Sequence, residues 1–451
     1  MTRSAIAAGA LPVATTRSAG EQFLTNCIII LSFFPFFRIL PLGDAETQPL
    51  AAMAALVGIL IYGFRWDFVS RASLALIFFG LAFALLAVLG MNISATSVGL
   101  QTAAFLAPII LFVYIWGRLD QVQPASVFFC GAAYLTLGTL QYLGKVPSFL
   151  HDLLGRLIGR YEEGLLTLGR GVVMFTPEPA YAAKILALFV AFCVAWHRDR
   201  RLPTLVFWML SLVTLAIVVL VNRSVIGIVL MMTLLGLYAF FLLSGRARVL
   251  LAAALAVGLV VSFQMARNRG FETVSADAPR NLQVASLVMA RAVEGDLRLT
   301  DVLRLGSARL MTSLAGFEYT ASLPLLGTGL GRGETAVRRV LDNDPLLNLV
   351  DFERNRFGNL KPHGWLPAWT TETGILGLAV GATLLLAVLG RARTASRRDL
   401  AASVALWSTA FLIVGLTGPH SLPVPWLMFG LASHRVAAGT SSADRLSGQN
   451  G

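Results

Sequence analysis

Apolar residues along this chain gather into long runs separated by short polar connections. A helix that crosses a bilayer needs roughly 17 to 25 mostly apolar residues. Twelve runs approach that length: Phe23–Leu40, Leu50–Phe64, Ala72–Gly90, Leu100–Trp116, Ala125–Leu143, Ala180–Trp196, Pro203–Val221, Val225–Leu243, Val249–Met265, Gly374–Gly390, Leu400–Thr417 and Leu422–Ser433. The second and last are short, so their ends are soft. The pattern predicts an all-α, polytopic integral membrane protein of about 12 transmembrane helices with a long outer loop.

The polar connections set the orientation, because short cytoplasmic loops are enriched in Lys and Arg. Alternate connections carry Arg65 and Arg71, then Arg118, then Arg198, Arg200 and Arg201, then Arg246 and Arg248, then Arg391, Arg393, Arg397 and Arg398. The intervening short ones are nearly bare, apart from an acidic stretch at Gly43–Gln48 and His420 near the end. Both termini are therefore expected in the cytoplasm. The expected organisation is a tail over 1–22, spans over 23–143, an outer loop over 144–179, spans over 180–265, a large outer loop over 266–373, spans over 374–433 and a tail over 434–451. Every candidate for chemistry then falls on the outer face.

Composition agrees with that reading. Of 451 residues, 56% are hydrophobic and only 13% charged, against roughly 25% charged in soluble domains. The formal net charge of +12 is spread over short loops and forms no continuous basic patch, so it argues for membrane topology and against nucleic acid. Arg3 and Arg17 precede an apolar segment without a clear cleavage site, which predicts an uncleaved first helix. Cys27, Cys130 and Cys193 lie inside apolar runs and imply neither a disulfide framework nor a metal cluster.

The two long outer loops are not low in complexity. His151–Tyr161 repeats apolar residues at three- and four-residue steps, and a similar pattern recurs over Leu297–Leu323 with Arg298, Arg304 and Arg309 among leucines. Amphipathic helices of this kind lie at a membrane interface, where they bind lipid phosphate or rest on the headgroups.

Several residues stand out against this background. His363 lies nine residues before Glu372, with Pro367 between them, so a helix should start near Leu366 with His363 just ahead of it. Histidine suits proton transfer near neutral pH; the alternative is a headgroup-level residue at a helix end. Thr176 is expected to cap the sixth span, with Pro177 in its first turn and Glu178 at its positive end. Lys184, inside an apolar run, calls for a cavity or for snorkelling. Arg223 occupies an outer turn, Asn222-Arg223-Ser224, against the charge rule; its fork of donors matches phosphate oxygens, or else it snorkels. Arg38 is a weaker case of the same kind, and Asp342-Asn-Asp344 is too common a surface pattern to argue for metal.

The stretch around His363 resembles the signature of the O-antigen ligase and polymerase superfamily, membrane enzymes that act on polyprenyl-pyrophosphate-linked glycans. His363, Glu372, Gly374 and Gly377 match its spacing, whereas Gly364 stands for the usual asparagine and Pro367 for a usual leucine. Leu323-Pro-Leu-Leu-Gly327-Thr-Gly329-Leu-Gly331 resembles the family's proline- and glycine-bearing segment, which follows an arginine-bearing helix, here Ser307-Ala-Arg309. Asn222-Arg223-Ser224 is similar to its Ser-Arg-Ser/Thr element, and Pro177-Glu178-Pro179 resembles the polymerase branch more than the ligase branch.

The resemblance implies a glycosyltransferase that polymerises polyprenyl-pyrophosphate-linked repeat units outside the cytoplasm, or a ligase that passes the glycan to a lipid core. His363 is then the catalytic base, Glu372 and Glu178 orient it or the sugar hydroxyls, and Arg223 and Arg309 hold the pyrophosphate; Arg170 joins them on placement alone. Arginines serve as the charge stabilisers, so no metal and no cofactor are expected. The expected partners are the lipid-linked donor, the glycan acceptor, the bilayer and a chain-length regulator protein. The competing class is a lipid-linked oligosaccharide flippase, against which stand the lack of a repeat between the halves and the length of the outer loop.

Overall fold

The computed structural model describes residues 18–40, 47–63, 81, 95–161, 171–250, 252–253, 290, 308–322, 325–343, 361–389, 396–416, 418 and 421–433. These residues build an all-helical protein. In chain order its helices are α1 (Ala19–Phe33), α2 (Leu50–Tyr62), α3 (Ala95–Trp116), α4 (Pro124–Tyr142), α5 (Ser148–Leu157), α6 (Pro179–Arg198), α7 (Thr204–Ala216), α8 (Val225–Leu242), α9 (Ala308–Ala321), α10 (Gly333–Asn343), α11 (Trp365–Leu389), α12 (Arg397–Leu416) and α13 (Val424–Ser433). Among the described residues four are long and apolar enough to cross a membrane: α6, α7 with its extension to Asn222, α8 and α12. α1, α2, the Thr102–Trp116 part of α3, and α13 are shorter apolar helices. The third expected span, apart from Leu81, and most of the ninth lie outside the described residues.

Local chemistry explains the helix starts. The Ser18 hydroxyl accepts from the Glu21 amide and the Ser224 hydroxyl from the Gly227 amide, satisfying donors that an α-helix leaves open in its first turn. Pro124 and Pro179 open α4 and α6, where a missing N–H costs nothing. The first helix stops at Phe33 instead of running to Leu40. Pro35 lacks the amide a further turn would need, and the chain beyond it pairs with another segment: Phe37 bridges to Ile158, and the Arg38 amide donates to the Leu157 carbonyl at 2.6 Å.

α6 is the centre of the bundle. Ninety-four per cent of its apolar window is buried, against 28% for α7, which faces outward. Contacts near the helix ends mark the two ends of the bundle. At one end, Arg118 after α3 pairs with Glu21 of α1 at 2.7 Å, His197 of α6 meets Tyr238 of α8 and Thr204 of α7, and Arg198 donates to the Leu431 carbonyl of α13. At the other end, Gln141 of α4 accepts from the Met174 amide, Asn222 donates to the Pro179 carbonyl, and the Gly364 amide donates to the Gly418 carbonyl just past α12. Helices α4, α6, α7 and α8 therefore alternate in direction, as do α12 and α13, and the described arginines at 118, 198, 200, 201, 246, 248, 397 and 398 collect at the first end.

Candidate functional site

The second end of the bundle carries the chemistry. Its framework is a glycine-rich loop, residues 325–332, laid against the first leg of α11. Gly327, Gly329 and Gly331 all have left-handed backbones, with φ of 67°, 90° and 82°. A side chain at Gly327 would place its Cβ 2.5 Å from the Thr371 carbonyl oxygen, so only glycine allows the approach. That closeness lets the Thr328 amide donate to the Thr371 carbonyl and the Gly329 amide to the Glu372 carbonyl, both at 3.0 Å.

Glu372 locks the same loop through its side chain. The carboxylate is 1% exposed and accepts the amides of Gly331, at 2.9 Å, and Gly333, at 3.2 Å. Gly333 opens α10, so Glu372 caps that helix from a distant segment and supplies negative charge at its positive end. Just after it, Gly374 takes φ 71° and ψ −158°, which breaks α11 into a short leg before the break and a longer helix after it. The expected span from Gly374 to Gly390 is the second leg; the helix as a whole begins at Trp365, next to the position the proline predicts.

His363 sits immediately before that short leg and is held at several atoms. Its Nδ1 lies 3.0 Å from the Thr312 hydroxyl of α9, and the Ser313 hydroxyl donates to its carbonyl. The next residue, Gly364, has φ 97°, and a Cβ there would stand 2.7 Å from the Val414 carbonyl of α12. The close approach of α12 thus requires glycine at position 364. Arg309 is one turn before Thr312 on α9, so its backbone belongs to the same helix that holds His363.

A second group lies around the start of α6. Helix α7 widens into a π turn over Ile217–Asn222 and ends at Arg223, whose φ is 54°. Asn222 is fully buried, and its amide group donates to the Val172 and Pro179 carbonyls at 2.9 and 3.0 Å. Gly171 permits this packing, since a Cβ there would meet the Asn222 carbonyl oxygen at 1.9 Å. Arg223 is partly exposed, its guanidinium 5.8 Å from the centre of the Tyr142 ring.

Glu178 occupies the residue before α6 and pairs with Arg160 at 2.8 Å. The start of α6 differs from the expected one. Thr176 does not cap it: its hydroxyl donates to the Val173 and Glu178 carbonyls, and Pro179, not Pro177, takes the first helical position. Pro179 after Glu178 keeps it extended, at φ −148°, so the cap falls two residues later than the Thr-Pro pattern suggests. Nearby, Tyr161 is buried against Gln141, and burial pushes its phenol above its ordinary value while the hydrogen bond opposes the rise. Lys184 is fully buried with its ammonium 4.7 Å from the centre of the Tyr181 ring.

Of the residues singled out in the sequence, His363, Glu372, Glu178 and Arg223 are all at the second end, and Arg309 is on a helix that reaches it. Arg170 and His420 lie outside the described residues. Glu372 accepts amides of the glycine loop and of the start of α10, and the Thr312 hydroxyl lies beside the His363 ring. Asn222 is visible in the sequence only as a neighbour of Arg223, and Thr312, Ser313 and Arg160 do not stand out, because hydroxyl and arginine side chains at these spacings are unremarkable until distant segments meet. Scans against family models and against curated proteins find no match for the chain.

Proposed function

We propose that this membrane protein is a glycosyltransferase that polymerises polyprenyl-pyrophosphate-linked repeat units, working at the bundle end that faces away from the cytoplasm. The arginine-rich connections gather at the opposite end, and the charge rule puts those in the cytoplasm. One observation carries the reading: segments far apart in sequence, each resembling a different element of that superfamily, close on one another. Helix α9 holds His363, and the glycine loop holds Glu372.

In this reading His363 takes the proton from an acceptor hydroxyl as that oxygen attacks the anomeric carbon. The bond to the pyrophosphate oxygen breaks, and the lipid diphosphate leaves with its electron pair. Arg223 and Arg309 stabilise the charge that develops on it, a role that donors fixed in advance perform well. In the same reading Glu178, part exposed beside Arg160, meets sugar hydroxyls. The donor is already activated, so the protein's task is orientation, deprotonation and charge stabilisation.

Deleting the gene from its host and sizing the surface glycan tests the assignment. Single repeats on the surface lipid support a polymerase. Long polymer accumulating on the carrier lipid would move the assignment to a ligase, and unchanged glycan would remove both. Transfer by purified protein should also survive a metal chelator; loss with chelator and recovery on adding a divalent cation would overturn the arginine-based mechanism.

A further inference from the structure

We infer that Thr312 sets the tautomer of His363, holding the proton on Nδ1 so that Nε2 presents the basic lone pair. The inference rests on the reading of His363 as the base and adds the residue that orients it. Thr312 is 2% exposed, and its hydroxyl stands 3.0 Å from Nδ1. Distance alone allows either group to donate. The helix decides between them.

A threonine inside a helix commonly gives its hydroxyl proton to the carbonyl four residues back. This chain does so repeatedly: Thr214 to Leu210, Thr320 to Gly316, Thr371 to Pro367 and Thr409 to Ala405. Thr320 lies on α9 itself. For Thr312 the matching carbonyl is that of Ala308, the first residue of α9. With its proton directed there, the Thr312 oxygen faces the imidazole as an acceptor, and Nδ1–H donates to it. In a neutral ring the other nitrogen is then the proton acceptor.

The surroundings keep the ring in that pose. The Ser313 hydroxyl holds the His363 carbonyl, and the Gly364 amide donates to the Gly418 carbonyl at 2.8 Å. A hydroxyl thus does here what a carboxylate does in the Asp-His pairs of hydrolases, fixing tautomer and orientation without adding a full negative charge. Thr312 is a positioning residue: it acts through His363.

The test uses full-length protein labelled with 15N-histidine in nanodiscs, with the His363 signals assigned by their loss in His363→Ala. Wild type should show a protonated Nδ1 and an unprotonated Nε2 above the imidazole pKa. Thr312→Ser should keep that signature and most of the transfer rate. Thr312→Val should shift the tautomer signals and lower kcat by about tenfold or more at unchanged KM, short of the roughly 10²–10⁴-fold loss from removing the base itself.

A wild-type spectrum with the proton on Nε2 overturns the inference, as does Thr312→Val with unaltered His363 signals and rate. Should Thr312→Val fail to fold, the wild-type and Thr312→Ser spectra still decide. Protein that shows the Nδ1–H signature yet transfers no glycan would sink the glycosyltransferase reading and leave the tautomer assignment standing.

Discussion

The Glu372 carboxylate and the Gly331 backbone amide stand 2.9 Å apart, and their hydrogen bond ties the short leg of α11 to the loop in front of α10. The other carboxylate oxygen holds Gly333 at 3.2 Å, where Pro362 also packs: a Cβ at Gly333 would meet the proline ring at 2.9 Å. Glu372 and the residue preceding His363 therefore share one glycine as a common wall. The loop, the short helix and the histidine are assembled together.

Removing that carboxylate should loosen the assembly. Glu372→Ala leaves buried amide donors without an acceptor, at a cost of about 1–3 kcal/mol. Thermal unfolding in detergent should shift downward, and limited proteolysis should open the chain between residues 325 and 343. An unshifted transition with a protected loop would mean that Glu372 serves something other than the loop.

The glycines differ in a way that can be measured. Gly327→Ala combines a left-handed backbone at φ 67° with a collision against the Thr371 carbonyl. Gly331→Ala has φ 82° but nothing within 4 Å of the new methyl, so it carries only the conformational strain of roughly 1–2 kcal/mol. Gly327→Ala should abolish folding or transfer, while Gly331→Ala yields folded protein of lower stability. Equal effects would contradict the close approach at Gly327.

Neighbouring residues at the end of α7 should separate structure from function. Asn222→Ala strands the buried Val172 and Pro179 carbonyls and should cost about 1–3 kcal/mol of stability. Arg223→Lys should leave the melting temperature near wild type and lower the transfer rate, because an ammonium cannot reproduce the bidentate fork. Full activity in Arg223→Lys would return Arg223 to the role of a snorkelling side chain.

At the opposite end, Arg118 is 1% exposed and depends on Glu21. Breaking a buried pair from one side costs about 3–5 kcal/mol, so Glu21→Ala should lower expression and stability sharply. The double change Glu21→Leu with Arg118→Met should recover much of the loss. If it fails to, the pair contributes more than mutual neutralisation of charge.

Hydropathy made the long helices legible: the observed ends of α4, α6, α7 and α8 lie within a few residues of the apolar runs that predicted them. The shared end of His363, Glu372, Glu178 and Arg223 was legible too, since it depends only on counting runs and arginines. What could not be read were the meetings of polar atoms. Glu372, expected to orient His363 or sugar hydroxyls, also accepts amides some forty residues away, and a backbone N–H leaves no mark in a sequence. The break at Gly374 and the π turn before Arg223 were equally silent, because a glycine or an apolar run fits a straight helix as well. The apolar run through Leu40 hid the early stop of α1 before Pro35, and nothing in the sequence marked the pairing of Phe37 with Ile158.

The most direct measurement is glycan transfer by the purified protein in nanodiscs, supplied with a polyprenyl-pyrophosphate-linked oligosaccharide and comparing wild type with His363→Ala of equal thermal stability. The account predicts that wild type lengthens the glycan and releases lipid diphosphate, and that His363→Ala is slower by roughly 10²-fold or more. Equal rates in the two proteins, or no transfer by wild type, would contradict it.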